Sequence, residues 1–227
     1  MRNAMSLNDN SLVLKVSVPI TCLKVPTARE YIETLHVPPP STVYGMLLSI
    51  VGETNRRTYI GTELAIAMIS DKPELSQVLR TFWRVKSKPS PKEPNVVLIG
   101  LGDNRRPDFQ ELLTNLNFIV AVRATYENNS RLIQLINTAL NNPKLISRFG
   151  GLSFGESRDL VNDVTILKND KSQTCEWLVK DIKGSLPLPI WADHVGSRNT
   201  NWLNFTLQQG KVSEIPEESW IKIKPKD

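Results

Sequence analysis

Few residues in this sequence are suited to chemical catalysis, and two of them are histidines. An imidazole can act as a general base near neutral pH. His36 stands just ahead of three prolines, whereas His194 lies in ADHVGS, a stretch typical of a loop or an interface. The two cysteines form no C-x-x-C pair and share no zinc-ligand spacing with the histidines. We therefore expect reduced, partly buried thiols and no metal site.

Acidic and nucleotide-binding motifs are also sparse. A metal-dependent nuclease needs clustered carboxylates, and the nearest approach is Asp159 with Asp163, which are predicted to lie in a strand or a turn. No G-x-x-x-x-G-K-[ST] or H-E-x-x-H motif occurs. We therefore expect no cofactor and favour a binding protein over an enzyme.

The positive charge of the chain is concentrated in one segment. The segment from Arg80 to Arg106 contains seven basic residues and only two acidic ones, Glu93 and Asp103. Its net charge of +5 equals the net charge of the whole chain. Such a segment is typical of an element that binds a polyanion, and a solvated charged loop is the alternative. The cations that we assign to binding are Arg84, Lys86, Lys88, Lys92, Arg105 and Arg106.

The secondary structure that must position these residues follows the order β-α-β, hairpin, β-α-β. Alternating apolar residues predict a strand over 12–20, with Lys15 and Ser17 on its polar face. Further strands are predicted over 64–70 and 116–126. The stretches LRTFWRVKS and NVVLIGLG flank the proline-rich KPSPKEP, which indicates a projecting hairpin over about 80–106.

Two helices complete this pattern. The first runs through PSTVYGMLLSIV, with Ser41 predicted as its N-cap and Gly52 as its C-terminal cap. The second covers 130–142, with Ser130 as its cap and Pro143 at its end. Gly45 costs the first helix up to about 1 kcal/mol relative to alanine. Either a packed strand or a phosphate backbone can approach a helix closely at such a glycine.

The element order predicts an α+β fold of the ferredoxin-like, RNA-recognition-like type. Both helices should cover one face of the sheet and leave the other face open. We expect residues 1–168 to form this domain and residues 169–227 to form a small β-rich appendage. The appendage holds four of the five tryptophans, and we assign Trp191 and Trp202 to a protein interface, with core packing as the alternative.

Nothing in the sequence predicts contact with a membrane. The N-terminal stretch MRNAMSLNDNSLVLK is polar where a signal peptide needs an apolar segment. No apolar run approaches the roughly 20 residues of a membrane-spanning helix. We expect a globular, cytoplasmic protein.

Three segments, in order, carry a family resemblance. VPPPSTVYGMLLSIVGE, RFGGLSFGESRDLVNDV and LPIWADHVGS resemble the CRISPR-associated "Cas-five" family, the RAMP-type subunit of type I Cascade complexes. The second and third segments are similar to its MYXAN-like branch, which is found with type I-B systems. The resemblance spans nearly the whole chain.

The resemblance implies a non-catalytic RNA-binding subunit for RNA-guided DNA recognition, which reaches target DNA only indirectly. Such a subunit caps the 5′ handle of the crRNA beside the first backbone subunit and the large subunit. Its thumb hairpin corresponds to the basic segment. Ser41, Tyr44 and Gly45 would face the handle.

The glycine-rich segment 148–154 would face the handle as well. Arg148 or Ser153 would contact phosphate, and Phe149 and Phe154 would stack on bases, with core packing as the alternative for both rings.

A second reading keeps an enzyme open, because some relatives cut repeat RNA themselves. His36, Tyr44 and Lys15 would then form the catalytic set of a metal-independent endoribonuclease. A third reading is an RNA-binding protein outside CRISPR systems. Cleavage of repeat RNA in EDTA, lost on His36→Ala, would favour the enzyme.

Overall fold

The computed structural model of the chain describes residues 11–28, 31–69, 72–83, 87–89, 97–99, 105–125, 127–167, 173–195 and 198–226. The strands are β1 Ser11–Thr21, β2 Glu63–Ile69, β3 Glu74–Trp83, β4 Ser87–Pro89, β5 Val97–Ile99, β6 Arg105–Arg123, β7 Asp163–Ile166, β8 Thr174–Lys180, β9 Leu186–Trp191, β10 Asn201–Lys211 and β11 Ile221–Lys222. The α-helices are α1 Pro40–Ile50 and α2 Glu127–Asn141. No helix within the described residues is long and apolar enough to cross a bilayer.

Nine strands form one sheet in the order β7-β1-β6-β2-β8-β10-β9, with β11 also paired to β2 and β3 also paired to β6. Neighbouring strands in this order are antiparallel. The strands predicted over 12–20 and 64–70 are confirmed as β1 and β2. The α+β class is thus seen as a large antiparallel sheet with two helices.

The strand predicted over 116–126 begins much earlier than expected. β6 starts at Arg105, and its first half pairs with β3 from Glu74↔Thr114 to Trp83↔Arg105. Further out, β4 pairs with β5. We call the segment Glu74–Thr114 the basic hairpin. Its arms are longer than predicted because β6 runs without a turn from its pairing with β3 into its pairing with β1 and β2. The polar stretch RRPDFQE gave no reason to expect a strand there.

One face of the sheet is covered by both helices, as predicted. Leu14 of β1, Ile66 of β2 and Phe118 of β6 are buried in one core with Leu47 of α1 and Leu132 of α2. Full burial of each such side chain stabilises the fold by about 1.5–3 kcal/mol. This core holds α1 firmly against the sheet.

The prediction of an open second face is wrong. Val13 and Ala65 on that face are buried with Trp177, Val212 and Trp220 in a second core. Residues 212–220 fold back over this part of the face, whereas Lys15 and Ser17, further along β1, are half-buried.

An arginine fixes this covering segment. Arg123 donates from Nε to Glu63, at 2.8 Å, and from its terminal nitrogens to Glu217, at 3.0 and 3.2 Å. Its guanidinium carbon lies 4.3 Å from the centroid of the Trp220 ring. The covering segment is thereby attached to β2 and β6.

The predicted helix caps are correct at only one of three positions. α1 starts at Pro40, and the preceding residue, Pro39, is the N-cap. Pro39 has an extended backbone and makes no side-chain hydrogen bond to the helix. Ser41 therefore lies inside the first turn. Proline fixes the backbone there and suits the first helical position, so no serine cap is needed. α2 begins at Glu127, which leaves Ser130 within the helix. Gly52 does end α1, at φ +72°.

The strands after residue 173 continue the central sheet. β8 pairs with β2, and β10 then pairs with β8 and β9. Trp177 is fully buried where β8 meets the core. β9 ends this side of the sheet, and Pro187 and Pro189 lie within it.

Candidate functional site

A cleft of about 700 Å³ opens between α1, the glycine-rich loop 147–155 and the end of β9. Hydroxyl groups, apolar side chains, two arginines, one glutamate and one histidine, His194, line it. The structure brings together six residues that the sequence predicts to face one ligand: Ser41, Tyr44, Gly45, Arg148, Phe149 and Ser153. The cleft has the mixed lining and the size of a ligand-binding site.

Gly45 forms an unobstructed part of the α1 wall. It is exposed, and a Cβ added to it would meet no atom within 4 Å. The packed strand considered from the sequence is therefore not there. Glycine therefore destabilises α1 at a position where no other described part of the chain needs the space.

Gly52 positions the opposite wall. Its backbone N–H donates to Ser49 at 3.2 Å and the N–H of Glu53 donates to Leu48 at 3.0 Å, which is the Schellman pattern. A Cβ on Gly52 would lie 2.1 Å from the carbonyl oxygen of Ser147. The end of α1 thus packs directly against the backbone that precedes Arg148.

A buried carboxylate shapes the rest of the glycine-rich loop. Asp159 Oδ2 accepts from the backbone N–H of Cys22, at 2.9 Å, and of Glu156, at 3.0 Å. The hydroxyl of Thr21 donates to the carbonyl of Phe154 at 2.5 Å, and its oxygen lies 3.3 Å from the same Asp159 oxygen. Gly155 has φ +102° against this turn. The loop is therefore attached to the end of β1.

The two phenylalanines of this loop face opposite ways. Phe149 is fully exposed, at 103%. Phe154 is buried, and its ring centroid lies 4.9 Å from that of Phe118. The prediction that Phe154 stacks on a base is wrong because its ring fills the core, and Phe149 alone remains available.

Ser153 lies in a motif that sequence reasoning missed. Residues 151–155 read G-L-S-F-G, which matches G-x-S-x-G. A nucleophilic serine in that motif sits on a sharp turn from a strand into a helix. Ser153 instead forms an isolated antiparallel bridge with Leu160, and the next element is β7. The local structure of Ser153 therefore differs from that of a nucleophilic serine in this motif.

Sequence reasoning also missed Arg56 and Trp191 as a pair in the cleft. The guanidinium carbon of Arg56 lies 4.6 Å from the centroid of the Trp191 ring, and its Nη1 donates to the carbonyl of Ala192. The Tyr44 hydroxyl donates to the carbonyl of Arg56 at 2.9 Å. Burial raises the pKa of Tyr44 to about 12. Tyr44 therefore supports Arg56 and keeps its proton at neutral pH.

The structure does not assemble the predicted catalytic set. Tyr44 is buried in the core on the helical face of the sheet. Lys15 alternates with Leu14 and Val16 on β1 and points to the opposite face. His36 is exposed in the loop before α1. A sheet separates Lys15 from Tyr44, so the three side chains cannot act on one phosphate.

The predicted cations of the basic hairpin are only partly covered by the structure. Arg84, Lys86 and Lys92 lie outside the described residues. Lys88 is placed in β4, opposite Leu98, and Arg105 and Arg106 form the start of β6. Their assignment to RNA binding stays a prediction.

No group of three potential metal ligands lies close together among the described residues. Asp159 is engaged by the loop, and Asp163 is exposed in β7. Cys22 and Cys175 are unpaired and buried, and burial raises the pKa of both thiols, that of Cys175 to about 11. The thiols are thus more deeply buried than predicted.

The two tryptophans assigned to a protein interface differ in exposure. Trp191 is 4% exposed and packs beneath Arg56, so core packing describes it and the interface prediction is wrong. Trp202 is 40% exposed on β10 and remains accessible to a partner.

Known proteins give independent information on this chain. Residues 11–173 match the family model described as CRISPR-associated protein (Cas_Cas5). The chain is 35% identical over 207 residues to "CRISPR-associated protein Cas5" from Myxococcus xanthus strain DK1622, which covers 90% of this chain and 91% of the relative.

A solved structure shares the fold at low sequence identity. A chain of a "CRISPR RNA-guided surveillance complex" superposes with a TM-score of 0.57 at 11% identity, over 92% of this chain and 95% of the other. The chain therefore belongs to the Cas5 family of CRISPR-associated proteins.

Proposed function

We propose that this chain is a non-catalytic subunit of a type I-B CRISPR effector complex and that its cleft holds the 5′ handle of the crRNA. Family membership supports a CRISPR role. The structure that shares the fold is a chain of a CRISPR RNA-guided surveillance complex, which supports the proposal that this chain acts as a subunit of such a complex. In this proposal the chain contacts the first backbone subunit and the large subunit.

The topology supports a ferredoxin-like RAMP domain. α1 connects β1 to β2 and α2 connects β6 to β7, and these four strands lie in the order β7-β1-β6-β2. The basic hairpin interrupts the second half of this pattern between β2 and β6. We assign it the role of a thumb that lies across the RNA backbone.

The observation that carries the proposal is Gly45. α1 presents an exposed glycine in the cleft wall, with open space above its Cα. An RNA backbone can approach the helix at this point more closely than any side chain would allow. Arg148, exposed on the other wall, supplies a cation for phosphate.

Gly45→Ala tests this directly because it separates binding from stability. In the free protein the new Cβ meets no neighbour, so the variant should be up to about 1 kcal/mol more stable than wild type. Co-expression with the neighbouring genes and a CRISPR array, followed by sequencing and quantification of co-purified RNA, should show reduced crRNA retention.

Asn137→Ala is the matched control. Asn137 is exposed on α2, away from the cleft, and alanine also favours the helix there. The control should retain crRNA normally. Full crRNA retention by Gly45→Ala, or co-purification of mixed RNAs without a common 5′ handle, would contradict the proposal.

A further inference from the structure

One arginine in the cleft is held in a fixed plane. The guanidinium of Arg56 lies on the Trp191 ring at 4.6 Å, and its Nη1 donates to the Ala192 carbonyl. The Tyr44 ring supports Trp191 from a centroid distance of 6.4 Å, and the Tyr44 hydroxyl fixes the Arg56 backbone. Through these contacts α1, the loop after α1 and the end of β9 together hold the planar guanidinium of Arg56 in place.

The charge of this arginine is already partly balanced. Asp193 follows Ala192, and backbone hydrogen bonds from Val195 and Asn199, together with the charge of Arg56, lower the pKa of Asp193. The Asp193 carboxylate, in the residue after the carbonyl that Arg56 contacts, is therefore ionised at neutral pH. Because one N–H of Arg56 is already committed to that carbonyl, the guanidinium has fewer donors left for a phosphate.

We propose that the plane of Arg56 is a stacking platform for one unpaired base of the bound RNA. This proposal rests on the proposed function, since it names what one part of the cleft recognises. Guanidinium planes stack on splayed bases as aromatic rings do. A guanidinium with one side on Trp191 can offer its other side to the cleft that it lines.

The two arginines of the cleft then have different tasks. Arg148 is exposed and contacts phosphate, whereas Arg56 takes the face of a base. Loss of a phosphate contact to single-stranded RNA lowers the slope of log K against log salt by about 0.7, and loss of a stacked base leaves this slope unchanged. The two roles are therefore separable by measurement.

The experiment uses the full-length chain and a synthetic RNA copied from the 5′ end of the crRNA that co-purifies with it. Binding is followed by fluorescence anisotropy between about 50 and 200 mM salt. A series of RNAs carries one abasic nucleotide at each position in turn. Wild type should lose about tenfold in affinity at one position of this series.

Arg56→Lys keeps the charge and removes the plane. It should weaken binding of the intact RNA by about the same tenfold, without changing the salt slope. It should also be insensitive to base removal at the one position that matters for wild type. Arg148→Gln should instead lower the salt slope by about 0.7 and stay sensitive to that base.

Arg123→Lys is the matched control, because Arg123 also lies over a tryptophan, Trp220, but faces away from the cleft. It should bind every RNA of the series as wild type does. The platform is disproved if Arg56→Lys weakens all abasic RNAs equally, if it binds the intact RNA as tightly as wild type, or if Arg56→Gln lowers the salt slope as Arg148→Gln does. If wild type binds the handle no better than a scrambled RNA, the proposed function fails and the platform fails with it.

Discussion

The Nη1 atom of Arg80 lies 3.2 Å from Oε2 of Glu156, and this ion pair joins the basic hairpin to the residue that directly follows the glycine-rich loop. Arg158 also contacts Glu156 and donates to Gln110 of β6 at 3.2 Å. The base of the hairpin is therefore connected to a wall of the cleft. Although Arg80 lies in the most basic segment of the sequence, its charge faces a carboxylate of the protein.

Arg80→Gln should leave RNA binding by the full-length chain nearly unchanged in its salt dependence. A residue that contacts phosphate would lower the slope of log K against log salt by about 0.7. The variant should lose less than about 1 kcal/mol in free energy of unfolding, since the ion pair is partly exposed. Arg80 also donates to the buried Gln110 oxygen, but Arg158 donates to the same oxygen and keeps it satisfied in the variant. Anisotropy titrations at several salt concentrations and urea unfolding give the two quantities. A fall in slope of about 0.7 would reassign Arg80 to the RNA.

Glutamate at Arg84, Lys86 and Lys88 should weaken crRNA retention and flatten the salt slope. These cations belong to the hairpin that we assign to the RNA backbone, and each lost phosphate contact removes about 0.7 from the slope. The melting temperature should change little, because residues 74–79 of the neighbouring strand β3 are exposed and the triple lies beyond them along the chain. Co-purified crRNA and thermal unfolding are measured on the same preparations.

The same charge reversal at Lys171, Lys180 and Lys183 serves as its control. Lys180 and Lys183 are exposed at the far side of the sheet, on β8 and the turn after it. This triple should retain crRNA far better. Equal losses for the two triples would mean that the charge acts as a diffuse field, and the thumb assignment would be wrong.

Gly52→Ala should destabilise the chain by more than about 1–3 kcal/mol, the usual cost of a strained backbone alone. Its φ is +72°, and the added Cβ would lie 2.1 Å from the Ser147 carbonyl oxygen. Gly150→Ala separates the two causes, because Gly150 has φ +75° with no atom within 4 Å of the added Cβ. Thermal unfolding should rank wild type above Gly150→Ala and Gly52→Ala last. Equal losses for both variants would show that the contact with Ser147 costs nothing.

The ion pair of Glu217 with Arg123 should make a small contribution to stability that depends on pH. Hydrogen bonding to Arg123 lowers the pKa of Glu217 below its ordinary 4.5. Because the pKa of Glu217 is lower in the folded state than in the unfolded state, its ionised form stabilises the fold at any pH above the unfolded-state pKa. This contribution disappears as the pH falls through the folded-state pKa. Since the Glu217 side chain is 63% exposed, the effect should stay below about 1 kcal/mol.

The measurement for this pair compares the melting temperatures of wild type and Glu217→Gln from neutral pH down to below the folded pKa. The wild-type advantage should be constant near neutrality and vanish in acid. An advantage that persists in acid would mean that packing over Trp220, and not the charge, holds the segment.

Incubation of the pure chain with repeat RNA in EDTA should yield no cleavage products. Metal-independent cleavage needs a general base and its partners around one phosphate, and the sheet separates Lys15 from Tyr44. His36→Ala should therefore behave as wild type does on a denaturing gel. Products of handle length that disappear in His36→Ala would establish the endoribonuclease instead.

The parts of the fold that were predictable are those with local patterns. The alternation of apolar and polar residues predicted β1, and helical periodicity predicted the buried face of α1. A glycine at the end of an apolar run predicted the C-terminal cap at Gly52. The first half of β6 was not predictable, because its pairing with β3 stabilises a polar stretch that contains Pro107. Tertiary pairing overrode the local pattern there.

The candidate site was predictable on one wall only. Gly45 and Arg148 belong to segments with distinctive local sequence, whereas Arg56 meets Ala192 from 136 residues away. No local signal connects such residues. Phe154 was predicted to bind a base but is buried against Phe118. The sequence of a glycine-rich loop does not show which of its rings will be buried in the core.

The composition of β9 also bears on how this chain can join an assembly. An edge strand invites another strand to extend its sheet through backbone hydrogen bonds. Pro187 and Pro189 offer no N–H to such a newcomer. Copies of the chain are thereby discouraged from pairing with each other through β9. A partner that approaches this side would be recognised through side chains, such as the exposed indole of Trp202.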